Sequence, residues 1–209
     1  MSNTLVDEFA EVTSTVLEPL TVQQYHAMIE QGILPEGAPI ELIDGLLVRR
    51  DRRDKGGSIM TVGPRHALVL GELADRLRDL LRGAGAHIRD QLPITLGELQ
   101  EPEPDVAVVL GNRRDYRGHH PGPGAIPLVV EVADSSLALD RREKLPRYAA
   151  AGIATYWIVN LSEEIIEVYT RPQPQEARYE HRTEFRPGET ISFEIVGMTI
   201  DIGVDDILV

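Results

Sequence analysis

The sequence predicts a mixed β-sheet flanked by helices, of the α/β or α+β class. Two short, continuous apolar runs, PDVAVVL at 104–110 and IPLVVEVA at 126–133, are typical of strands that are buried on both faces. A third such run, TYWIVNL at 155–161, follows a helical segment. The next run, EIIEVYT at 164–170, alternates apolar and polar residues as a hairpin partner does. These runs predict the strands of one central sheet.

Local signals define the elements before these strands. Thr21 and Gln24 have the spacing of a capping box, which predicts a helix that ends near Gly32. An Asp44-Gly45 pair between two apolar runs predicts a β-hairpin. The charged, glycine-rich residues 51–63 predict a loop.

A second helix is expected from Pro64 to Arg82, because leucines recur there at helical spacing and Gly83 follows as a stop. The leucines of this stripe are Leu68, Leu73, Leu77 and Leu80 or Leu81. The run HIRDQLPITL at 87–96 predicts a strand, and Pro93 within it indicates an edge position or an interruption.

The remaining elements follow from breaks in the pattern. Residues 111–125 are rich in Gly, Pro and His and predict a loop. A helix is expected over roughly 140–151, with Asp140 as its N-cap and Glu143 as the N3 residue. The C-terminal third contains short β-type runs broken at Pro187-Gly188 and at Gly197.

Length and composition fit one globular unit. The 209 residues suffice for one buried core, and we expect a flexible arm at 1–18 and a single domain at 19–209. No apolar run reaches the roughly 18 residues that span a membrane, and the first residues lack the pattern of a secretory signal. With no cysteine, disulfides, thiolate nucleophiles and cysteine-bound zinc are excluded. We expect a soluble, cytoplasmic protein.

The net charge of −13 argues against a protein that coats DNA nonspecifically. The charge is uneven along the chain, since both ends are acidic and residues 49–171 are neutral. Basic residues cluster within this centre at 49–55, 113–120 and 141–147. These clusters are either solvated loop charges or the walls of a groove that accepts a polyanion.

Two carboxylates stand out as candidate metal ligands. Glu131 interrupts an apolar strand, where the alternation of side chains places it on one face with Val129 and Ala133. Asp105 stands at the start of the neighbouring apolar run. A buried carboxylate needs a cation or hydrogen-bond donors to stay ionised, and Mg²⁺ prefers oxygen ligands. The alternative is that Asp105 caps a turn and Glu131 pairs with an arginine.

Other side chains are weaker candidates. Lys144, thirteen residues after Glu131, would stabilise negative charge on a phosphate if it reached the two carboxylates; otherwise it is a solvated helical lysine. His66 is either near the site or structural, and Tyr148, one turn after Lys144, either packs or binds phosphate. The His119-His120 pair lacks the spacing of a helical metal pair, and we expect it at the surface; Trp157 is expected in the core.

These residues carry a resemblance to a known family. Asp105 after Pro104, followed by Glu131, resembles the bipartite motif of the PD-(D/E)XK nuclease superfamily. The chain is similar in particular to the Uma-type family of endonucleases of that superfamily, over roughly residues 20–170. The matching stretches are Glu41 to Gly45, Pro64-Arg65-His66, EPDVAVV at 103–109, PLVVEVADSS at 127–136 and DRREKLPRYAAAGIATYWIVN at 140–160.

The resemblance implies a restriction endonuclease-like fold and a metal site for Mg²⁺ or Mn²⁺. Asp105, Glu131 and the main-chain carbonyl of Val132 would bind the metal, and Glu41 would contribute a further acid. Ala133 stands where the superfamily motif has its lysine, so Lys144 on the following helix is the implied replacement. If Lys144 did not reach the site, the hydrolytic interpretation would weaken.

Three functions are compatible with this pattern. The leading hypothesis is a metal-dependent phosphodiesterase that acts as an endonuclease on nucleic acid, with DNA as the expected substrate. A homodimer is compatible with this hypothesis, since cutting two strands suits two sites. The second is an inactive nuclease-like module that binds nucleic acid or regulates. The third is a metal-dependent hydrolase of small nucleotides, for which a protein of charge −13 meets less repulsion than with long DNA.

Overall fold

The computed structural model describes residues 18–49 and 63–209. The described residues form two compact units: one contains 18–49 and 95–102, and the other contains 63–94 and 103–209. Nearly all of the predicted N-terminal arm, the loop predicted before Pro64 and most of the first basic cluster lie outside the described residues. The single domain at 19–209 stays a prediction.

The first unit contains one helix and one hairpin, both as predicted. Helix α1 (Val22–Glu30) begins at a capping box in which the Thr21 hydroxyl accepts a bond from the backbone of Gln24. Strands β1 (Ile40–Ile43) and β2 (Leu46–Arg49) pair antiparallel. Asp44 and Gly45 join them with φ of 50° and 74°, the left-handed conformation that a two-residue hairpin turn requires.

The second unit is built on a six-stranded mixed sheet. Its strands lie in the order β3-β4-β5-β6-β7-β8. Only β5 and β6 are parallel, and the other neighbours are antiparallel. The strands are β3 (Ala86–Asp90), β4 (Val106–Leu110), β5 (Leu128–Ala133), β6 (Thr155–Asn160), β7 (Ile165–Gln173) and β8 (Arg178–Phe185).

One face of this sheet packs against helix α2 (Pro64–Leu80). Leu73 and Leu77 are fully buried in this core, together with Trp157 from β6, as predicted. Leu68 does not belong to the apolar stripe, since it is 50% exposed and Val69 is buried in its place. A hairpin of β9 (Thr190–Ile195) and β10 (Met198–Gly203) also contributes to this core.

The opposite face carries the helical segment that precedes β6. It comprises α3 (Leu137–Leu139), a π-helical turn (Asp140–Lys144) and α4 (Leu145–Ala150). The segment starts before Asp140, so the predicted N-cap role of Asp140 is wrong. The backbone N–H of Leu145 bonds to the carbonyl of Asp140, five residues back, which is the bond of a π turn.

Two further expectations are corrected. The strand predicted over 87–96 ends at Asp90, before Pro93, which cannot donate to a strand ladder. The predicted loop at 111–125 contains two short 3-10 turns, Arg113–Tyr116 and Pro123–Ala125. In the part of the chain that the structure describes, no helix has the length and apolar character to cross a membrane.

Candidate active site

Asp105, the residue directly before β4, lies at the same level of the sheet as Glu131 on β5. Strands β4 and β5 pair with Val106 opposite Val130, and one further step of this antiparallel register sets Asp105 opposite Glu131. Residues directly opposite each other in such a pair have Cβ atoms about 5 Å apart. The register therefore brings together the two carboxylates on which the sequence prediction depended.

Asp105 is held in place through one of its two oxygens. Its Oδ2 accepts a hydrogen bond from the backbone N–H of Val132 at 2.9 Å and lies 3.2 Å from His66 Nε2. Both residues are largely buried, with 7% of each exposed. Both side-chain hydrogen-bond or ion-pair contacts of Asp105 with described residues use Oδ2, so Oδ1 is the oxygen available to another group.

Lys144 contacts Glu131, as it must if it replaces the lysine that the superfamily motif has at the position of Ala133. Its Nζ lies 2.7 Å from Glu131 Oε2 and 3.2 Å from Asp140 Oδ1. Asp140 is 1% exposed and also accepts a hydrogen bond from the Ser136 hydroxyl at 2.7 Å. Lys144 therefore neutralises part of the charge of two buried carboxylates.

Two tyrosines line the buried side of this cluster. Tyr148 donates a hydrogen bond from its hydroxyl to Glu131 Oε1 at 2.8 Å and is 1% exposed. Tyr156 packs against Tyr148 and is wholly buried. Burial, together with the charges of Glu131 and Asp140, raises the pKa of Tyr156 well above its usual value, which keeps its hydroxyl neutral.

The surroundings keep Asp105 ionised. Burial alone would raise its pKa, but the hydrogen bond and charge of His66, the charge of Lys144 and the Val132 amide act in the opposite direction. The net result lowers the pKa of Asp105 to about 2. A carboxylate that is negative throughout the physiological range is suited to binding a cation.

The donor set fits a hard divalent cation. Asp105, directly before β4, and Glu131 on β5 supply carboxylate oxygens, and Val132 is the residue that follows Glu131 on β5. Oxygen ligands of this kind suit Mg²⁺ and Mn²⁺, whereas zinc sites rely on nitrogen and sulfur. The three acids Asp105, Glu131 and Asp140 outnumber the two basic side chains Lys144 and His66 in this cluster.

The other predicted site residues are accounted for separately. Glu41 is buried on β1 of the first unit, 5% exposed, and its part in the site stays a prediction. His119 is exposed, as expected, whereas His120 is half-buried with its Nδ1 3.2 Å from Arg89 Nη2. The roles of Asp105, Glu131, Val132 and Lys144 as metal ligands or catalytic groups also stay predictions.

Sequence reasoning missed three contacts of this site. Asp140 was assigned to a helix cap, although its spacing of four residues from Lys144 is the signal that links them. The sequence left open whether His66 lies near the site or has a structural role. No local sequence pattern relates it to Asp105. Tyr148 was expected to pack, which it does, but its hydroxyl also bonds to Glu131.

The described residues form an α+β fold that carries a buried cluster of carboxylates with one lysine and two tyrosines. The sequence model of the Uma2 family, described as a putative restriction endonuclease, matches residues 22–203. The chain belongs to the Uma2 family, which confirms the resemblance found in the sequence.

A solved structure supports the fold assignment. The chain is similar to a "putative nuclease belonging to DUF820" from Anabaena variabilis ATCC 29413, with a TM-score of 0.64 and 17% identity. The similarity covers 91% of this chain and 98% of that one. No curated protein gives a significant match.

Proposed function

We propose that the protein is a metal-dependent endonuclease that hydrolyses phosphodiester bonds in DNA, in the cytoplasm. The observation that carries the proposal is the opposition of Asp105, directly before β4, and Glu131 on β5, with Lys144 bonded to Glu131. Membership of a family described as restriction endonucleases supports this choice among metal-dependent hydrolases. A homodimer would offer one site to each DNA strand, which suits cleavage of both strands.

Mg²⁺ or Mn²⁺ would be held by Asp105, Glu131 and the Val132 carbonyl. When bound, the metal would lower the pKa of a coordinated water and stabilise negative charge on the phosphate. Glu131 has Lys144 on Oε2 and Tyr148 on Oε1, so it must share an oxygen with the metal or yield one of these contacts. Asp105 can offer Oδ1 to the metal without giving up either contact of Oδ2.

Lys144 provides positive charge beside the reacting phosphate. Its side chain is 18% exposed, so part of it reaches solvent beside the buried carboxylates. Asp140 and Glu131 hold the ammonium from two sides, which restricts its position before substrate arrives. A pre-positioned charge stabilises the extra negative charge of the transition state without further reorganisation.

Hydrolysis of small nucleotides is a second candidate, favoured by the net charge of −13. Long DNA carries a dense line of phosphates, and its approach to an acidic protein becomes harder at low salt. A dinucleotide carries little charge and is affected less. Rates on a dinucleotide and on a long duplex, compared over a range of salt concentrations, separate the two functions.

An inactive nucleic-acid-binding or regulatory module is the remaining candidate. Its acidic surface charge is compatible with a regulatory role. The ion pair between Lys144 and Glu131 and the ionised Asp105 favour an active centre instead, because a decayed site has no need to keep these charges together.

Calorimetric titration with Mg²⁺ and Mn²⁺ tests the site directly. The wild-type chain is compared with Asp105→Asn and Glu131→Gln, and the matched control is Asp134→Asn, an exposed acid that directly follows β5. We expect both site variants to lose binding while remaining folded by circular dichroism, and the control to retain it.

Cleavage of plasmid DNA in Mn²⁺ buffer completes the test. The proposal requires nicking or linearisation by the wild-type chain and by Asp134→Asn, with loss in both site variants. Equal cleavage by wild type and Glu131→Gln would overturn the assignment. Metal binding without cleavage of any nucleic acid would favour the inactive module.

A further inference from the structure

A second buried carboxylate lies on the same face of the sheet as Glu131. Glu131 on β5, Ile158 on β6 and Glu167 on β7 occupy one row across the sheet. Glu167 has no exposed surface. Two strand spacings of about 4.8 Å separate it from Glu131, so the two carboxylates are roughly 10 Å apart.

Two arginines converge on Glu167 from different elements. Arg141, the residue after Asp140, donates from Nε to Oε2 at 3.2 Å and from Nη2 to Oε1. Arg182 on β8 donates from Nε to Oε2 at 3.2 Å, and its Nη2 lies 3.1 Å from the same oxygen. Tyr169 also donates to Oε2, at 2.5 Å, and Arg182 lies over its ring.

Glu167 has more cationic partners than are required to satisfy its hydrogen bonds and neutralise its charge. A carboxylate has about four acceptor positions, and Arg141, Tyr169 and Asn160 already supply four donors. One guanidinium also neutralises one carboxylate. Arg182 therefore exceeds what burial of Glu167 requires.

Both guanidinium groups retain donors, and both side chains are partly exposed. Among the described residues, the bonds of Arg141 and Arg182 use Nε and Nη2 and leave each Nη1 unused. The side chains are 36% and 41% exposed. Glu184 contacts Arg182 at 2.8 Å and Arg186 at 3.5 Å, so three arginines and two carboxylates give the cluster a charge of +1.

We propose that Arg141 and Arg182 form an anion site that binds a backbone phosphate of nucleic acid, outside the bond that is cleaved. Glu167 fixes the two planar groups in place, so that little side-chain freedom is lost on binding, and guanidinium groups match phosphate geometry. The inference rests on the proposed function for its choice of a nucleic acid as ligand.

The spacing agrees with a phosphate close to the reacting one along the strand. A duplex advances about 3.4 Å per nucleotide along each strand. Successive phosphates of one strand are also displaced around the helix, so the roughly 10 Å between Glu131 and Glu167 spans fewer than three nucleotides. The cluster is also a local positive region on a chain whose net charge is −13, which gives a nucleic acid one favourable point of approach.

The salt dependence of DNA binding tests the site without any need for turnover. A fluorescein-labelled 20-base-pair duplex is titrated with the full chain in Ca²⁺ buffer, and the logarithm of the association constant is plotted against that of salt concentration. Each phosphate neutralised by the protein contributes about −0.9 to this slope. Arg182→Gln and Arg141→Gln are expected to reduce the slope by up to about one each.

Two variants separate charge from structure. Arg182→Lys keeps the charge and is expected to retain the wild-type slope with weaker affinity, because lysine lacks the planar fork. Arg178→Gln is the matched control, since Arg178 is exposed on the same strand and contacts Glu176 instead. It is expected to bind as the wild type does.

The outcomes are distinct from those of the proposed function. Slopes in Arg182→Gln and Arg141→Gln equal to those of wild type, whatever their melting temperatures, would overturn the anion site, and so would the absence of any DNA binding by wild type. A chain that binds through these arginines but never cleaves would contradict the proposed function and leave the anion site supported.

Discussion

Lys144 Nζ lies 2.7 Å from Glu131 Oε2, which joins a helix to the central sheet through two charged groups. Only 1% of Glu131 is exposed, and the lysine also contacts Asp140 at 3.2 Å. A carboxylate loses most of its solvation at such a position, so the lysine stabilises the fold as well as placing charge at the site. Structure and chemistry here depend on the same side chain.

Lys144→Met keeps the length of the side chain and removes its charge. We expect a loss of about 3–5 kcal/mol in the free energy of unfolding, because two buried carboxylates are left without their shared cation. Urea denaturation at pH 7 measures this loss. Arg142→Met is the control on the same turn, and its loss should stay below about 1 kcal/mol. Equal losses would show that Lys144 is a solvated helical residue.

Replacements of His66 distinguish a positioning role from simple packing. The amide nitrogen of glutamine can stand in for Nε2 and still donate to Asp105, whereas leucine fills the space without a donor. We expect His66→Leu to weaken Mn²⁺ binding by about 10–100-fold, as loss of an outer hydrogen bond to a metal ligand does, and His66→Gln to weaken it less. Calorimetric titration gives both constants. Identical constants in the two variants would contradict the positioning role.

Tyr148→Phe and Tyr179→Phe form a matched pair. Each removes a buried hydroxyl, one bonded to Glu131 at 2.8 Å and the other to the carbonyl of Ile153 at 2.9 Å. Both should cost about 1–3 kcal/mol of stability, because each leaves an acceptor with one donor fewer. Only Tyr148→Phe should change the DNA cleavage rate. A similar change in rate in both variants would indicate a general effect of destabilisation.

Glu167 gives a prediction about pH. Burial tends to raise its pKa, but the bonds from Arg141 and Tyr169 and the charge of Arg182 outweigh burial and lower it. The stability contributed by ionised Glu167 is therefore complete above the usual glutamic acid pKa, about 4.3, and is lost as the pH falls through the lower value of the folded state. Glu167→Gln cannot show this loss.

The free energy of unfolding of wild type and Glu167→Gln is to be measured from pH 7 down to pH 3. Wild type should be more stable by about 1–3 kcal/mol near neutrality, the range for hydrogen bonds to a charged group. The difference should shrink below about pH 4. Glu184→Gln, an exposed acid opposite Glu167 in the sheet, is the control. A difference that is constant with pH would contradict an ionised Glu167.

Much of the fold followed from local patterns. The apolar runs that contain Val106, Val130 and Trp157 were recognisable because strands buried on both faces need no polar residue at alternate positions. The hairpin at Asp44-Gly45 was predicted because few residue pairs adopt positive φ at both positions. These features depend on near neighbours in the sequence.

The parts that were missed depend on distant contacts. Asp140 has the sequence context of an N-cap, and only the position of the sheet shows that its side chain is directed to Lys144. His66 and Asp105 are 39 residues apart and meet only when α2 packs on the sheet. The Arg141–Glu167–Arg182 cluster likewise joins a helical turn to two strands, and the sequence shows only a basic run around Arg141.

The π-helical turn at Asp140–Lys144 sets the relation between the two charged clusters. An α-helix rotates by about 100° per residue, so one residue more or fewer in this turn rotates everything before it relative to everything after it. Arg141, within this turn, bonds to Glu167, whereas Tyr148, in the helix that follows the turn, bonds to Glu131. Inserting a single alanine into this turn would keep every charged group in the chain and yet misalign one cluster against the other. The length of this turn is thus as much a determinant of the surface offered to a ligand as the identity of its side chains.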